Sequence, residues 1–201
     1  MEKKKGKFIV FEGPDGSGQS TQSQLLKNYL ESKNYQVVLT KQPTKESEAS
    51  KKISDILNHR ITATPEEFQQ LFVDDRKEHL EKLILPSLNE GKVVVSDRYF
   101  FSSLAFGSLN CDLEWLIGIN KGFPIPDKTF ILDVSPEVCV ERIMSRGLPV
   151  QFFETKEKLG KVMENYRKAA TRFPGVHLVS GERPIDVIHQ EILSKLENIL
   201  I

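Results

Sequence analysis

The chain predicts an α/β fold, a three-layer α/β/α arrangement around a five-stranded parallel sheet. Three observations carry this expectation. Five short runs are almost continuously apolar: KFIVFE at 7–12, YQVVLT at 35–40, KVVVSD at 92–97, KTFILDV at 128–134 and VHLV at 176–179. Such runs suit strands of a parallel sheet covered on both faces. Longer amphipathic stretches separate them, which implies right-handed crossovers through helices. Finally, a glycine-rich loop, Gly13-Pro14-Asp15-Gly16-Ser17-Gly18-Gln19-Ser20, joins the first run to the helix-like STQSQLLKNYLESK.

The helices follow from their own signals. The stretch 65–90 opens with Thr64 as a candidate N-cap and Pro65 at the first helical position, and stops at Gly91. Pro86 is expected to kink or close it. The last helix places Ile185, Ile188, Ile192, Leu196 and Ile199 on one face, with Pro184 at its start. No internal repeat, linker or composition break interrupts residues 1–201, so one domain is expected.

Bulk composition excludes several classes. The 201 residues carry 28 basic and 28 acidic side chains, a formal net charge of zero. General attraction to nucleic acid or to an anionic membrane is therefore not expected. The basic start, MEKKKGK, reads as a solvated terminus. No run approaches the roughly 18 apolar residues of a membrane span, and strand-like residues beginning at Phe8 leave no visible signal peptide. Cys111 and Cys139 are far apart and lack metal-type spacing, as suits thiols in a reducing cytoplasm. The four histidines are scattered and receive no chemical role.

The loop at 13–20 matches the phosphate-binding pattern G-x-x-x-x-G-K-[ST] at every fixed position but one, because Gln19 stands where the lysine belongs. Glycines let successive backbone N–H groups turn toward one anion, and the following helix adds its positive N-terminal end. Ser20 supplies a hydroxyl suited to Mg²⁺. None of this needs the lysine. At about 4 Å and an effective dielectric near 20, the absent cation would contribute roughly 4 kcal/mol of gross attraction. Gln19 keeps an N–H donor and similar reach without charge.

Asp97 and Arg98 stand just past the third strand, facing the same crevice as the loop. A carboxylate there can hold Mg²⁺, and an arginine can grip a phosphate with two donors. A strand-end ion pair is the plainer alternative. Phe72 and Arg76 are four apart, so a helix presents them on one face. Ring and guanidinium together could seat a nucleobase, although periodicity alone would more often make Phe72 a core residue.

The segments FEGPDGSGQST, LFVDDRKEHLEKLILPSL, DRYFFSSLAF, RIMSR with QFFE, and GERPIDVIHQEIL resemble the thymidylate kinase family, in the family's order and over nearly the whole chain. The resemblance implies a P-loop kinase domain with a short lid near 142–154. The implied reaction transfers the γ-phosphoryl of ATP to dTMP, giving dTDP and ADP. Implied roles follow residue by residue. Gly13, Pro14, Asp15, Gly16, Ser17, Gly18, Gln19, Ser20 and Thr21 correspond to the ATP phosphate loop, and Ser20 and Asp97 to the Mg²⁺ site. Asp15 matches a carboxylate near the acceptor's 3′-hydroxyl and phosphate, and Pro43 the proline lining the acceptor pocket. Phe72 matches the ring stacked on thymine, Arg76 the arginine reaching its O4, and Arg98 the arginine on the acceptor phosphate. Ser102, Ser103 and Phe106 lie beside the base, and Arg142 and Arg146 at the start of the lid. A cytoplasmic homodimer is implied as well.

The chain departs from the family pattern at named positions. Gln19 replaces the loop lysine, Gln42 the glutamate of the Arg-Glu-Pro segment, and Phe106-Gly107 a common Tyr-Gln pair. Gln151 and Phe152 stand where the lid often has Asp-Arg. These departures keep two other readings in view: a kinase of another nucleoside monophosphate, and a nucleotide-binding homologue weakened in catalysis.

Overall fold

The structure, a computed structural model, describes residues 5–145 and 155–199. Five strands form one fully parallel sheet: β1 (Lys7–Glu12), β2 (Val37–Lys41), β3 (Val93–Asp97), β4 (Lys128–Asp133) and β5 (Val176–Ser180), in the spatial order β2-β3-β1-β4-β5. All five expected strands are present, with ends shifted by up to two residues. The order reverses beside β1, so the crevice at the carboxyl ends of β1 and β3 lies at the switch point where such sheets bind ligands.

Helices cover both faces. They are α1 (Gln19–Ser32), α2 (Glu48–Leu57), α3 (Pro65–His79), α4 (Leu85–Asn89), α5 (Phe100–Gly107), α6 (Leu113–Ile119), α7 (Pro136–Met144), α8 (Lys156–Ala170) and α9 (Ile185–Ser194). One apolar layer joins Phe8, Val10 and Val94 to Tyr99, Phe101, Leu104 and Tyr166. The other joins Ile9, Phe11, Val95 and Phe130 to Leu26, Leu30, Ile188 and Ile192. Alternate residues of β1 thus point into opposite layers, as a doubly covered strand requires. The outer strand β2 is only half-buried, so its apolar run overstated its burial.

The stretch 65–90 is not one α-helix. Thr64 caps α3 in a full capping box with Glu67, and Pro65 takes the first position, as expected. Residues Leu80–Ile84 then form a π-helical turn before α4. Pro86 has no N–H to donate and its ring would crowd the carbonyl four residues back. The wider turn accommodates it without ending the helical path. In the last helix Ile188 and Ile192 are buried while Ile185 is exposed, and the helix ends at Ser194, so Leu196, also buried, and Ile199 lie beyond it and not on its face as expected. Among the described residues, no helix is long and apolar enough to cross a membrane.

Candidate active site

The glycine-rich loop connects β1 to α1 above the centre of the sheet. Gly13, Gly16 and Gly18 have φ of 149°, 86° and 96°, conformations that side chains rarely tolerate. A Cβ on Gly16 would lie 2.6 Å from the Cys139 carbonyl oxygen. Helix α1 starts without a side-chain cap, so its first-turn N–H groups have no acceptor from the helix itself. Gln19 is buried, and its Oε1 accepts a hydrogen bond from Ser17 Oγ at 2.5 Å. The glutamine turns back into the loop instead of standing in for a cation.

Asp97 ends β3 beside this loop and is buried. Its Oδ2 accepts from Ser20 Oγ at 2.5 Å and from Lys41 Nζ at 2.8 Å. Its Oδ1 is buried with no partner. Lys41, at the end of β2, was not anticipated as a site residue. Its position is intelligible from register, since Lys41 pairs with Asp97 across the sheet.

Arg98 follows with φ of 74°, a strained conformation for a residue with a Cβ. That turn aims its side chain back across the end of β1. Nη2 pairs with Asp15 Oδ1 at 2.7 Å, and Nη1 donates to the Gly13 carbonyl at 2.8 Å, Ser102 Oγ at 3.1 Å and Tyr166 OH at 3.2 Å. The guanidinium carbon lies 5.2 Å from the Phe106 ring centroid. Burial disfavours the charge of Arg98, but Asp15, Tyr166, Asp97 and Glu12 together hold its pKa above the ordinary arginine value.

Beneath Arg98 sits Glu12, fully buried, which the sequence reading treated only as the end of a strand. Its carboxylate accepts from the Tyr99 and Ser102 N–H groups, from Ser102 Oγ at 2.6 Å and from Tyr166 OH at 2.9 Å. Burial holds its pKa above the ordinary carboxylate value, with Arg98 and these donors acting the other way. A charged residue closing an otherwise apolar run was the available signal. Tyr166 had none, because it comes from α8, far along the chain.

A second cluster lies beside the first. Arg76 is fully buried, its guanidinium carbon 5.5 Å from the Tyr99 ring centroid and 5.6 Å from that of Phe123. Nε donates to Gln42 Oε1 at 3.1 Å, Nη1 to Asn120 Oδ1 at 2.5 Å and Nη2 to Ser103 Oγ at 3.0 Å. Every partner is neutral. Burial lowers the Arg76 pKa to about 10, with Tyr99, Glu12 and Asp75 acting the other way. Three of five N–H donors are used, leaving one on each terminal nitrogen. One turn earlier on α3, Phe72 is half-buried and meets Phe68 edge-on at 5.0 Å. It belongs to none of the buried apolar clusters among the described residues. Pro43 follows a cis peptide after Gln42 and lines a neighbouring cavity of about 450 Å³ with Thr40, Thr44 and His79.

Of the residues expected at the lid, Arg142 lies on α7 and Arg146 lies outside the described residues, as do Gln151, Phe152 and most of the 142–154 segment. Helix α7 ends at Met144. Arg142 packs under the loop instead. It donates to the carbonyls of Gly16 at 3.5 Å, Ser17 at 3.4 Å and Gly181 at 3.0 Å.

This loop, with Asp97-Arg98 and the α3 face beside it, agrees with what comparison to known proteins finds. The family model for thymidylate kinase matches residues 11–192. The chain belongs to the thymidylate kinase family. A probable thymidylate kinase of Pyrococcus horikoshii is 42% identical over 205 residues, covering 98% of each chain. A probable thymidylate kinase of Thermococcus kodakarensis is 40% identical, covering 96% of this chain and 98% of its own. A thymidylate kinase of Desulfotalea psychrophila is 36% identical over 202 residues, covering 100% of this chain and 98% of its own. Within a thymidylate kinase family fold, the substitutions at Gln19, Gln42 and Phe106-Gly107 have visible local consequences. Gln19 folds inward, Gln42 joins Arg76 as a neutral acceptor, and Phe106 packs its ring on Arg98. At Gly107 the space of a side chain is taken by Gln69, whose Cδ would lie 2.9 Å from an added Cβ.

Proposed function

We propose that this protein is a dTMP kinase, transferring the γ-phosphoryl of ATP to dTMP and releasing dTDP and ADP. The observation that carries the reading is the joint presence, at the carboxyl ends of the strands, of an uncapped glycine loop and two buried arginines with different tasks. The backbone of residues 13–21 would hold the donor's phosphates by N–H donation and by the α1 dipole. Arg98 would receive the acceptor phosphate, since its Asp15 pair already fixes the fork across the cleft mouth. Phe72 would stack on the base, and the two free N–H groups of Arg76 would meet a carbonyl on its edge.

A hard cation fits between Ser20 and Asp97. The buried, unpartnered Asp97 Oδ1 is a ready oxygen ligand, and Mg²⁺ in such sites takes one or two protein oxygens with the rest from water and substrate. When bound, Mg²⁺ would neutralise phosphate charge. Among the described residues no group of three His, Cys, Asp or Glu could hold a metal alone, as suits an ion brought with ATP.

Phosphoryl transfer depends on positioning and charge neutralisation, with little covalent work for the protein. An acceptor phosphate needs no strong base. Arg98 would hold the attacking oxygen, and the loop N–H groups would hold the leaving chain. The absent loop lysine leaves charge to be supplied by Lys41 and Arg98, by Arg142 from beneath the loop, and by Arg146 as expected of the lid. The acceptor assignments for Pro43, Ser102, Ser103 and Phe106, the single P-loop kinase domain over 1–201, the cytoplasmic homodimer and the absence of nucleic-acid or membrane partners belong to the same proposal.

The test is dTDP formation from Mg²⁺, ATP and dTMP, with dUMP, UMP and dGMP as competitors. Preference for dTMP supports the reading. Preference for another acceptor, or ATP binding without transfer, overturns it.

A further inference from the structure

Arg76 leaves its neighbours little choice of orientation. Its Nε–H can only donate, so the Gln42 atom 3.1 Å away is Oε1. The Gln42 Nε2 amide must then face the other way, where it lies 3.0 Å from His79 Nδ1. An amide NH₂ can only donate, so Nδ1 carries a lone pair and the ring proton sits on Nε2. Nε2 in turn lies 2.7 Å from Thr40 Oγ1, which accepts that proton. The chain Arg76–Gln42–His79–Thr40 therefore has one consistent direction, with His79 neutral.

We infer that His79 is a positioning residue for the acceptor base: through Gln42 it holds the direction in which Arg76 presents its two free N–H groups. The inference rests on the dTMP kinase reading for the identity of the acceptor. A glutamate at position 42 would hold the guanidinium by charge in either protonation state of the histidine. A glutamine cannot. If Nδ1 gains a proton, it opposes the Gln42 NH₂, and the amide must rotate. Its NH₂ then opposes Arg76 Nε–H, and the fork loses the partner that fixes its plane.

The ring has a route to solvent protons. His79 lines the 450 Å³ cavity beside β2 with Thr40, Lys41, Lys45, Glu46, Glu78 and Lys82. Burial lowers its pKa below the ordinary 6.5; Asp75 and Glu46 favour the charged ring, and Arg76 opposes it. The neutral form is thus the resident one near neutral pH, and acid is the direction in which the chain fails. A buried histidine that merely fills space would show no link to acceptor binding.

The experiment reads binding and tautomer directly. Nitrogen-15 NMR, assigned by loss of the peak in His79→Asn, should show His79 bare at Nδ1 and protonated at Nε2. A proton on Nδ1 overturns the inference. Calorimetric titration of dTMP into the full-length protein from about pH 8 to 5.5 should show affinity falling by up to about tenfold per unit below the His79 pKa. His79→Asn keeps an acceptor near the Nδ1 position and cannot titrate, so it should bind within about threefold of the unaltered protein and lose that acid limb. The phosphate of dTMP titrates equally in both, so the difference isolates the histidine. His79→Leu should bind about tenfold more weakly at neutral pH. An acid limb that is identical in His79→Asn, or unchanged affinity in His79→Leu, overturns the role. Should His79→Leu not fold, the comparison with His79→Asn decides alone. No dTMP binding by the unaltered protein overturns both this role and the acceptor assignment, whereas binding without turnover strikes only the kinase reading.

Discussion

Lys41 Nζ lies 2.8 Å from Asp97 Oδ2, bringing a cation from the end of β2 to the carboxylate that also binds Ser20. The pair is half open, with the lysine side chain 56% exposed and the aspartate 7%. An ammonium thus stands close to the place where Gln19 leaves the loop uncharged. Lys41→Met should lower the rate of dTDP formation roughly 10- to 100-fold. Adding Gln19→Lys to that variant should recover part of the loss. A full rate in Lys41→Met would show that the missing charge is supplied elsewhere.

Gln19→Lys alone should leave dTMP affinity little changed and alter the transfer rate. The side chain belongs to the loop, held by Ser17 Oγ, and not to the cluster around Arg76. Collapse of dTMP binding in this variant would place residue 19 in the acceptor site.

Phe72→Ala should weaken dTMP binding roughly tenfold or more, the usual worth of one stacked base. Melting should shift little, because Phe72 is half-buried and outside the apolar clusters. A large drop in Tm with unchanged binding would make it a packing residue.

Gly16→Ala should destabilise the protein by about 1–3 kcal/mol and weaken ATP binding. The residue has φ of 86°, and its new methyl would press on the Cys139 carbonyl at 2.6 Å. Denaturant unfolding and ATP titration read the two effects separately.

Tyr166→Phe should cost about 1–3 kcal/mol in urea unfolding, because the buried Glu12 loses a donor and Ser102 a partner. An unchanged midpoint would mean that water or rotation of Ser102 repairs the network.

The sequence carried the layers and the loop, because apolar periodicity and glycine spacing are local properties. Phe72 and Arg76 share a helical face, and that too could be read from spacing alone. Glu12, Tyr166, Asn120 and Lys41 could not, since each acts on a partner at least 44 residues away. His79 was overlooked because nothing near it in sequence suggests Gln42 and Thr40. The π-turn at 80–84 was hidden for a different reason. Pro86 announces a disturbance, and whether a helix breaks, kinks or widens is settled by what it packs against.

The network under Arg98 has a consequence for how the protein is made. Glu12 receives its hydroxyl donors from Ser102 and Tyr166, separated from it by 90 and 154 residues. A ribosome that has released the loop, β3 and even Arg98 has not yet delivered the tyrosine that closes this buried carboxylate. The emerging chain therefore holds an ionisable group without its full set of donors until Tyr166 is out. Catalytic competence should appear in one step only once α8 has emerged, and truncation before α8 should leave no partial enzyme.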